Sequence, residues 1–187
     1  MAIKSKYIWI NGELLDYENA TIHFLNPTMH YGAATFEGIR AYSTAKGAAV
    51  FRLKEHIERL FESCRVLGIR EFDFSVDQII EATCQVVKEN GFTECYIRPL
   101  VYFTGESMGL NLDAYKVNFG IAAWEWGNYL GEESRAKGVR ACVSSFTRLH
   151  PNASMTKANI SGNYVNSILA KTESVRLGFD EAIMLDP

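Results

Sequence analysis

Two stretches, CYIRPLVYF (residues 95–103) and VNFGIAAWEW (residues 117–126), constrain the fold more than anything else in the chain. Both are rich in β-branched and aromatic residues and read as strong strands. Pro99 lacks a backbone donor and marks the first as an edge strand or one that carries a bulge. Two amphipathic helices are expected before them. In the first, Ile57, Leu60, Phe61, Cys64 and Leu67 form an apolar stripe that Gly68 ends. In the second, Ser75 and Gln78 make a capping box, Ile79, Ile80, Thr83, Val86 and Val87 face inward, and Gly91 ends it. Earlier still, YIWING reads as a strand entering an Asn-Gly turn with ATIHF as its partner, and EGIRAYST with AAVFRL as a second hairpin. Strands and helices in separate runs predict an α+β class.

Residues 1–127 are expected to form a small N-terminal α/β domain, and residues 128–137, inside the glycine-rich and charged stretch GNYLGEESRAKG, a linker. From 138 to 187 the pattern is a strand in VRACVSSF, a helix from about Tyr164 to Leu177, and a strand in EAIML. That is too little for an independent domain.

The formal net charge is −3, with no block of like charges, which gives no support to a nucleic-acid or membrane surface. Cys64, Cys84, Cys95 and Cys142 fit neither a zinc site nor a disulfide framework, and no apolar run has the length of a signal peptide or membrane span. A reduced, cytoplasmic protein is expected. The four histidines lack paired spacing, so no metal is expected, and neither a glycine-rich phosphate loop nor a nucleophile elbow is present.

Three stretches carry possible chemistry. HYGAATFEGIRAY is either a hairpin corner with an aromatic cluster or a place where Gly32 and Gly38 let the backbone approach a ligand. Arg59 lies roughly 200° around its helix from Ile57, and is either solvated or a bidentate clamp for phosphate or carboxylate. In SMTKANISGNY, residues 154–164, Gly162 and Asn163 could offer N–H groups to an anion, and a lysine could hold an aldehyde.

Together, YIWING, HYG with FEGIR, FRLKEHIERL, YIRPL, WEWGNYLG, SGNYVNSILAKTE and GFDEAIMLD resemble the branched-chain amino acid aminotransferases, fold-type-IV pyridoxal phosphate enzymes, over nearly the whole chain. The resemblance implies a D-amino acid aminotransferase-like fold, in which residues 138–187 begin a larger, β-barrel-like domain. It implies amino transfer between L-leucine, L-isoleucine or L-valine and 2-oxoglutarate, with a lysine holding pyridoxal 5'-phosphate as an imine. It casts Arg59 as the phosphate ligand and Tyr164 as a contact of the cofactor ring. Phe36, Gly38, Tyr96, Trp126 and Tyr129 would bind the aliphatic substrate, and Arg98 with the Tyr96 hydroxyl its carboxylate. Tyr31, Met108 and Leu110 would complete a neighbouring subunit's pocket, implying a homodimer or higher homo-oligomer. The alternatives are a D-amino acid transaminase or aminodeoxychorismate lyase of the same fold, or a non-enzymatic dimerisation or binding module.

Two features depart from the family pattern. The family's lysine stands five residues before the tyrosine; here Asn159 holds that place, and Lys157, the only nearby amine, stands seven before it. Two residues of extended chain keep Lys157 on the same face but displace it by roughly 6.6 Å. The family's large domain also continues beyond residue 187. The chain is therefore expected to be a truncated and inactive form.

Overall fold

Asn11 and Gly12 both adopt positive φ, 50° and 101°, and so close a two-residue turn. The turn joins strand β1 (Tyr7–Ile10) to β2 (Glu13–Asp16), which pair antiparallel. The expected partner ATIHF is not a strand, and its Ile22 and Phe24 side chains are exposed. The computed structural model describes residues 5–105, 107–127 and 137–187.

The chain folds as two units, Met1–Glu125 with Ala158–Ser161, and Trp126–Lys157 with Gly162–Pro187. The class is α+β, and the described residues form no closed barrel. Most of the linker expected at 128–137 falls outside the described residues.

In the first unit, helix α1 (Pro27–Tyr31) is capped by the Asn26 side chain and ends at Gly32, φ 68°. Strands β3 (Ala34–Phe36), β4 (Ile39–Thr44) and β5 (Gly47–Val50) follow. Next come helices α2 (Leu53–Val66) and α3 (Val76–Glu89), then strands β6 (Cys95–Thr104) and β7 (Lys116–Trp124). The capping box at Ser75 and Gln78 forms as its residue types dictate. The strands make one antiparallel sheet in the order β2-β1-β7-β6-β4-β5, with β3 also paired to β6.

β6 is therefore an inner strand, which corrects the edge reading drawn from Pro99. The Pro99 carbonyl accepts from Glu37 N at 3.0 Å. The missing N–H thus faces the Glu37–Gly38 gap between β3 and β4, where no ladder partner is required. On β6, Ile97, Val101 and Phe103 are buried in the core with Leu60, Ile79 and Val86 of the helices, while Tyr96 and Arg98 occupy the alternate positions.

In the second unit, β8 (Ala141–Val143) pairs parallel with β9 (Glu181–Ile183), and helix α4 (Tyr164–Arg176) connects them.

Candidate active site

Three consecutive residues at the β3–β4 gap, Phe36, Glu37 and Gly38, each meet a different polar group. Together they organise the candidate site.

The Glu37 carboxylate is fully buried. Arg59 grips it with two bonds, Nε to Oε1 at 2.7 Å and Nη2 to Oε2 at 2.6 Å, and His56 Nδ1 lies 2.9 Å from Oε2. The Arg59 side chain is 56% exposed, so the guanidinium spans from the buried carboxylate to the surface. His56, Arg59 and Ser63 stand at i, i+3 and i+7 of α2, within about 60° of arc. This polar edge runs beside the apolar stripe of Ile57, Leu60 and Cys64.

Asn159 lies along β3. Phe36 N donates to Asn159 O at 3.1 Å, the Asn159 amide side chain donates to Phe36 O at 2.7 Å, and Asn159 N donates to Ser63 Oγ at 3.1 Å. A bridge between Thr35 and Ile160 continues the pairing. These contacts fix the register of residue 159 from both its main chain and its side chain. Lys157 is exposed and belongs to the second unit. Behind β3, Thr35 Oγ1 lies 3.0 Å from Cys64 Sγ, and burial pushes that thiol up to about 11, which leaves it inert.

Gly38 makes room for Tyr96: a Cβ at residue 38 would stand 2.3 Å from the tyrosine oxygen. That oxygen accepts from Arg98 Nη2 at 2.8 Å. The Arg98 guanidinium carbon lies 4.4 Å from the Phe36 ring centre and 5.2 Å from that of Tyr96. Tyr96 in turn packs on Trp124 with ring centres 4.9 Å apart. Arg98 Nε is buried and no acceptor among the described residues bonds to it; an unpaired buried donor costs about 1–3 kcal/mol. Arg98, Leu100, Tyr102, Ile8 and Ile10 also border an apolar depression of about 220 Å³ on the sheet. A planar cation between aromatic rings beside an apolar hollow suits a small aliphatic acid.

Phe36, Gly38, Tyr96, Arg98, Arg59 and Asn159 are thus gathered in the first unit. Tyr31, at the end of α1, is exposed, as are Met108 and Leu110. In the second unit, Tyr164 opens α4 half-exposed and Trp126 is partly buried. Tyr129 lies outside the described residues.

Sequence reasoning missed Glu37, His56 and Ser63. The signal available was the i, i+3, i+7 spacing of polar residues around Arg59. Among the described residues no group of three metal-ligating side chains occurs, and no helix is long and apolar enough to cross a membrane.

Residues 34–187 match the family model described as Amino-transferase class IV. The branched-chain-amino-acid aminotransferase of Pseudomonas aeruginosa is 48% identical over 187 residues, which is all of this chain and 61% of that protein. That of Escherichia coli K12 is 42% identical over 184 residues, 98% of this chain and 59% of that protein. A solved T.th. branched-chain amino acid aminotransferase with pyridoxamine 5'-phosphate superposes with a TM-score of 0.93 at 47% identity, covering 99% of this chain and 61% of that one. The chain thus spans about three fifths of the length of these relatives.

Proposed function

The chain belongs to the class IV amino-transferases, and from that premise we propose that it is of the branched-chain-amino-acid aminotransferase type, with the amine position silenced by Asn159. The type's activity moves an amino group between an L-amino acid with an aliphatic side chain and 2-oxoglutarate. Pyridoxal 5'-phosphate, when bound, supplies the carbonyl that takes up the amino group and the ring that draws electrons from the α-carbon.

The residues present fit parts of that chemistry and not others. Arg59 offers a fixed guanidinium of the kind that binds phosphate oxygens. Arg98, with its unsatisfied Nε, fits a substrate carboxylate, and Phe36 and Tyr96 fit an aliphatic side chain. Residue 159 does not fit covalent attachment, because an amide nitrogen is neither nucleophilic nor able to shuttle a proton. Its side chain donates to Phe36 O. The seat of Asn159 on β3 is the observation that carries the reading: a two-residue slip to bring Lys157 there would break its bonds to Phe36 and Ser63.

The same proposal takes the domain plan as a small domain to residue 127, a linker to 137 and the start of a large domain from 138. It takes the location as cytoplasmic and the assembly as a homodimer to which Tyr31, Met108 and Leu110 contribute. Tyr164 is proposed as a contact of the cofactor ring and Trp126 as a contact of the substrate side chain.

The test is amino transfer to 2-oxoglutarate by a full-length version carrying Asn159 and by the same version with Asn159→Lys. No transfer is expected with Asn159 in place, and a gain on Asn159→Lys with L-leucine but not with D-alanine. Transfer with Asn159 in place, no gain on Asn159→Lys, or use of D-alanine would contradict the reading; the last would favour a D-amino acid transaminase.

A further inference from the structure

We infer that Glu37 is a positioning residue that sets the plane of the Arg59 guanidinium for the cofactor's phosphate, with His56 locking the carboxylate in turn. The inference rests on the reading of Arg59 as a phosphate ligand and adds what that reading lacks, the group that aims it.

Glu37 has little freedom. Its main chain is held by the bond from its N–H to Pro99 O at 3.0 Å, at the end of a strand whose three residues are all buried. Its carboxylate has no exposure to water, and among the described residues the groups that donate to it are the side chains of Arg59 and His56. A buried carboxylate is costly unless such partners satisfy its oxygens. The charge of Glu37 is thus tied to two side chains on one edge of α2.

The geometry has a direction. Arg59 uses its Nε and Nη2 edge for the two oxygens of Glu37, at 2.7 and 2.6 Å. A guanidinium gripped along one edge cannot rotate about its last torsions, so its remaining N–H groups point along fixed lines. An arginine that is 56% exposed would otherwise sample several rotamers and lose that freedom on binding an anion. His56 Nδ1, 2.9 Å from Oε2, prevents the carboxylate from turning away, and the His56 side chain is only 23% exposed. Ser63, one turn further along the same edge, holds the Asn159 main chain. One helix edge therefore fixes both the arginine and the residue in the amine position.

Glu37 also carries a cost. Its negative charge beside Arg59 offsets part of the attraction for a phosphate dianion. Retaining an acid there makes sense only where orientation gains more than charge loses. A purely structural role for Glu37 gives the opposite expectation: removing the acid while keeping the fold would strengthen phosphate binding.

The test titrates this chain with pyridoxamine 5'-phosphate and with pyridoxamine, following tryptophan fluorescence. The amine forms are used because they cannot attach to surface lysines. The unaltered chain is expected to favour the phosphorylated form. Glu37→Gln is expected to bind pyridoxamine unchanged and to lose about three- to tenfold of the phosphate preference, the cost of ordering one long side chain. A preference in Glu37→Gln equal to or greater than that of the unaltered chain overturns the inference and leaves the Arg59 reading standing. No phosphate preference in the unaltered chain overturns both. Should Glu37→Gln fail to fold, His56→Ala probes the same lock: a smaller loss of phosphate preference supports the inference, and an unchanged preference overturns it.

Discussion

The two units hold their shape by different means. In the first, Leu60, Ile79, Ile97, Val101, Phe103 and Ile121 close an apolar core between a twisted sheet and two helices. In the second, only Ser144, Ala170 and Ser174 are buried among the described residues, while Val165, Ile168, Leu169 and Val175 of α4 are exposed. Hydrogen bonds to one carboxylate do much of the joining there. Glu173 accepts from Ser144 Oγ at 2.5 Å, from Ser145 N at 2.9 Å and from the Ser145 hydroxyl, tying α4 to the end of β8. The first unit's candidate site residues stand on a scaffold fixed by burial, so their geometry follows from the core. The second unit relies more on polar bonds to Glu173, of which the two from Ser145 are exposed and individually weak.

The largest effects should come from the first unit. Ile97→Ala, at a fully buried position in an inner strand, is expected to cost about 2–5 kcal/mol in chemical denaturation. Ile183→Ala on β9, half exposed, should cost well under that, about 1 kcal/mol or less. Equal costs would break the contrast.

Gly38→Ala comes next. Its Cβ would fall 2.3 Å from the Tyr96 oxygen, so the ring must move, at about 1–3 kcal/mol. Because that oxygen also holds Arg98, binding of 4-methyl-2-oxopentanoate should weaken with the stability loss. Unchanged binding would separate Arg98 from the carboxylate role.

The smallest effect concerns pH. Bonds from Ser144 and Ser145 hold the Glu173 carboxyl below the usual carboxylate range. A group lowered in the folded state contributes stability above its unfolded value and loses it as pH falls through the folded one. Protection of the Ser145 N–H from hydrogen exchange, taken relative to the intrinsic rate at each pH, should therefore fall on acidification below the ordinary glutamate range. In Glu173→Gln that step should vanish; its persistence would assign it to another group.

Much of this was readable in the sequence wherever one residue's neighbours are local. The α2 and α3 stripes, the Ser75 capping box and the hairpin around Lys46 and Gly47 all form as their patterns dictate. Two readings failed because they were decided elsewhere in the chain. ATIHF has strand-like residues, but the Asn11–Gly12 turn brings Glu13–Asp16 to β1 first. Pro99 lies in an inner strand because the β3–β4 side, not β6, carries the interruption. The site divides along the same line. Arg59 and Asn159 could be picked out through resemblance, but Glu37, His56 and Ser63 acquire meaning only through contacts spanning 19 to 96 residues. No local period encodes such contacts.

The central claim is that residue 159 sits in the amine position and that asparagine there prevents attachment. It is tested most directly by treating this chain and Asn159→Lys with pyridoxal 5'-phosphate, reducing with borohydride, and mapping the modified peptides by mass. The expected result is a specific adduct on residue 159 of the lysine variant and none in the 154–164 peptide of the unaltered chain. An adduct on Lys157 of the unaltered chain would contradict the register seen at Phe36 and Ser63, and with it the claim that this chain lacks its amine.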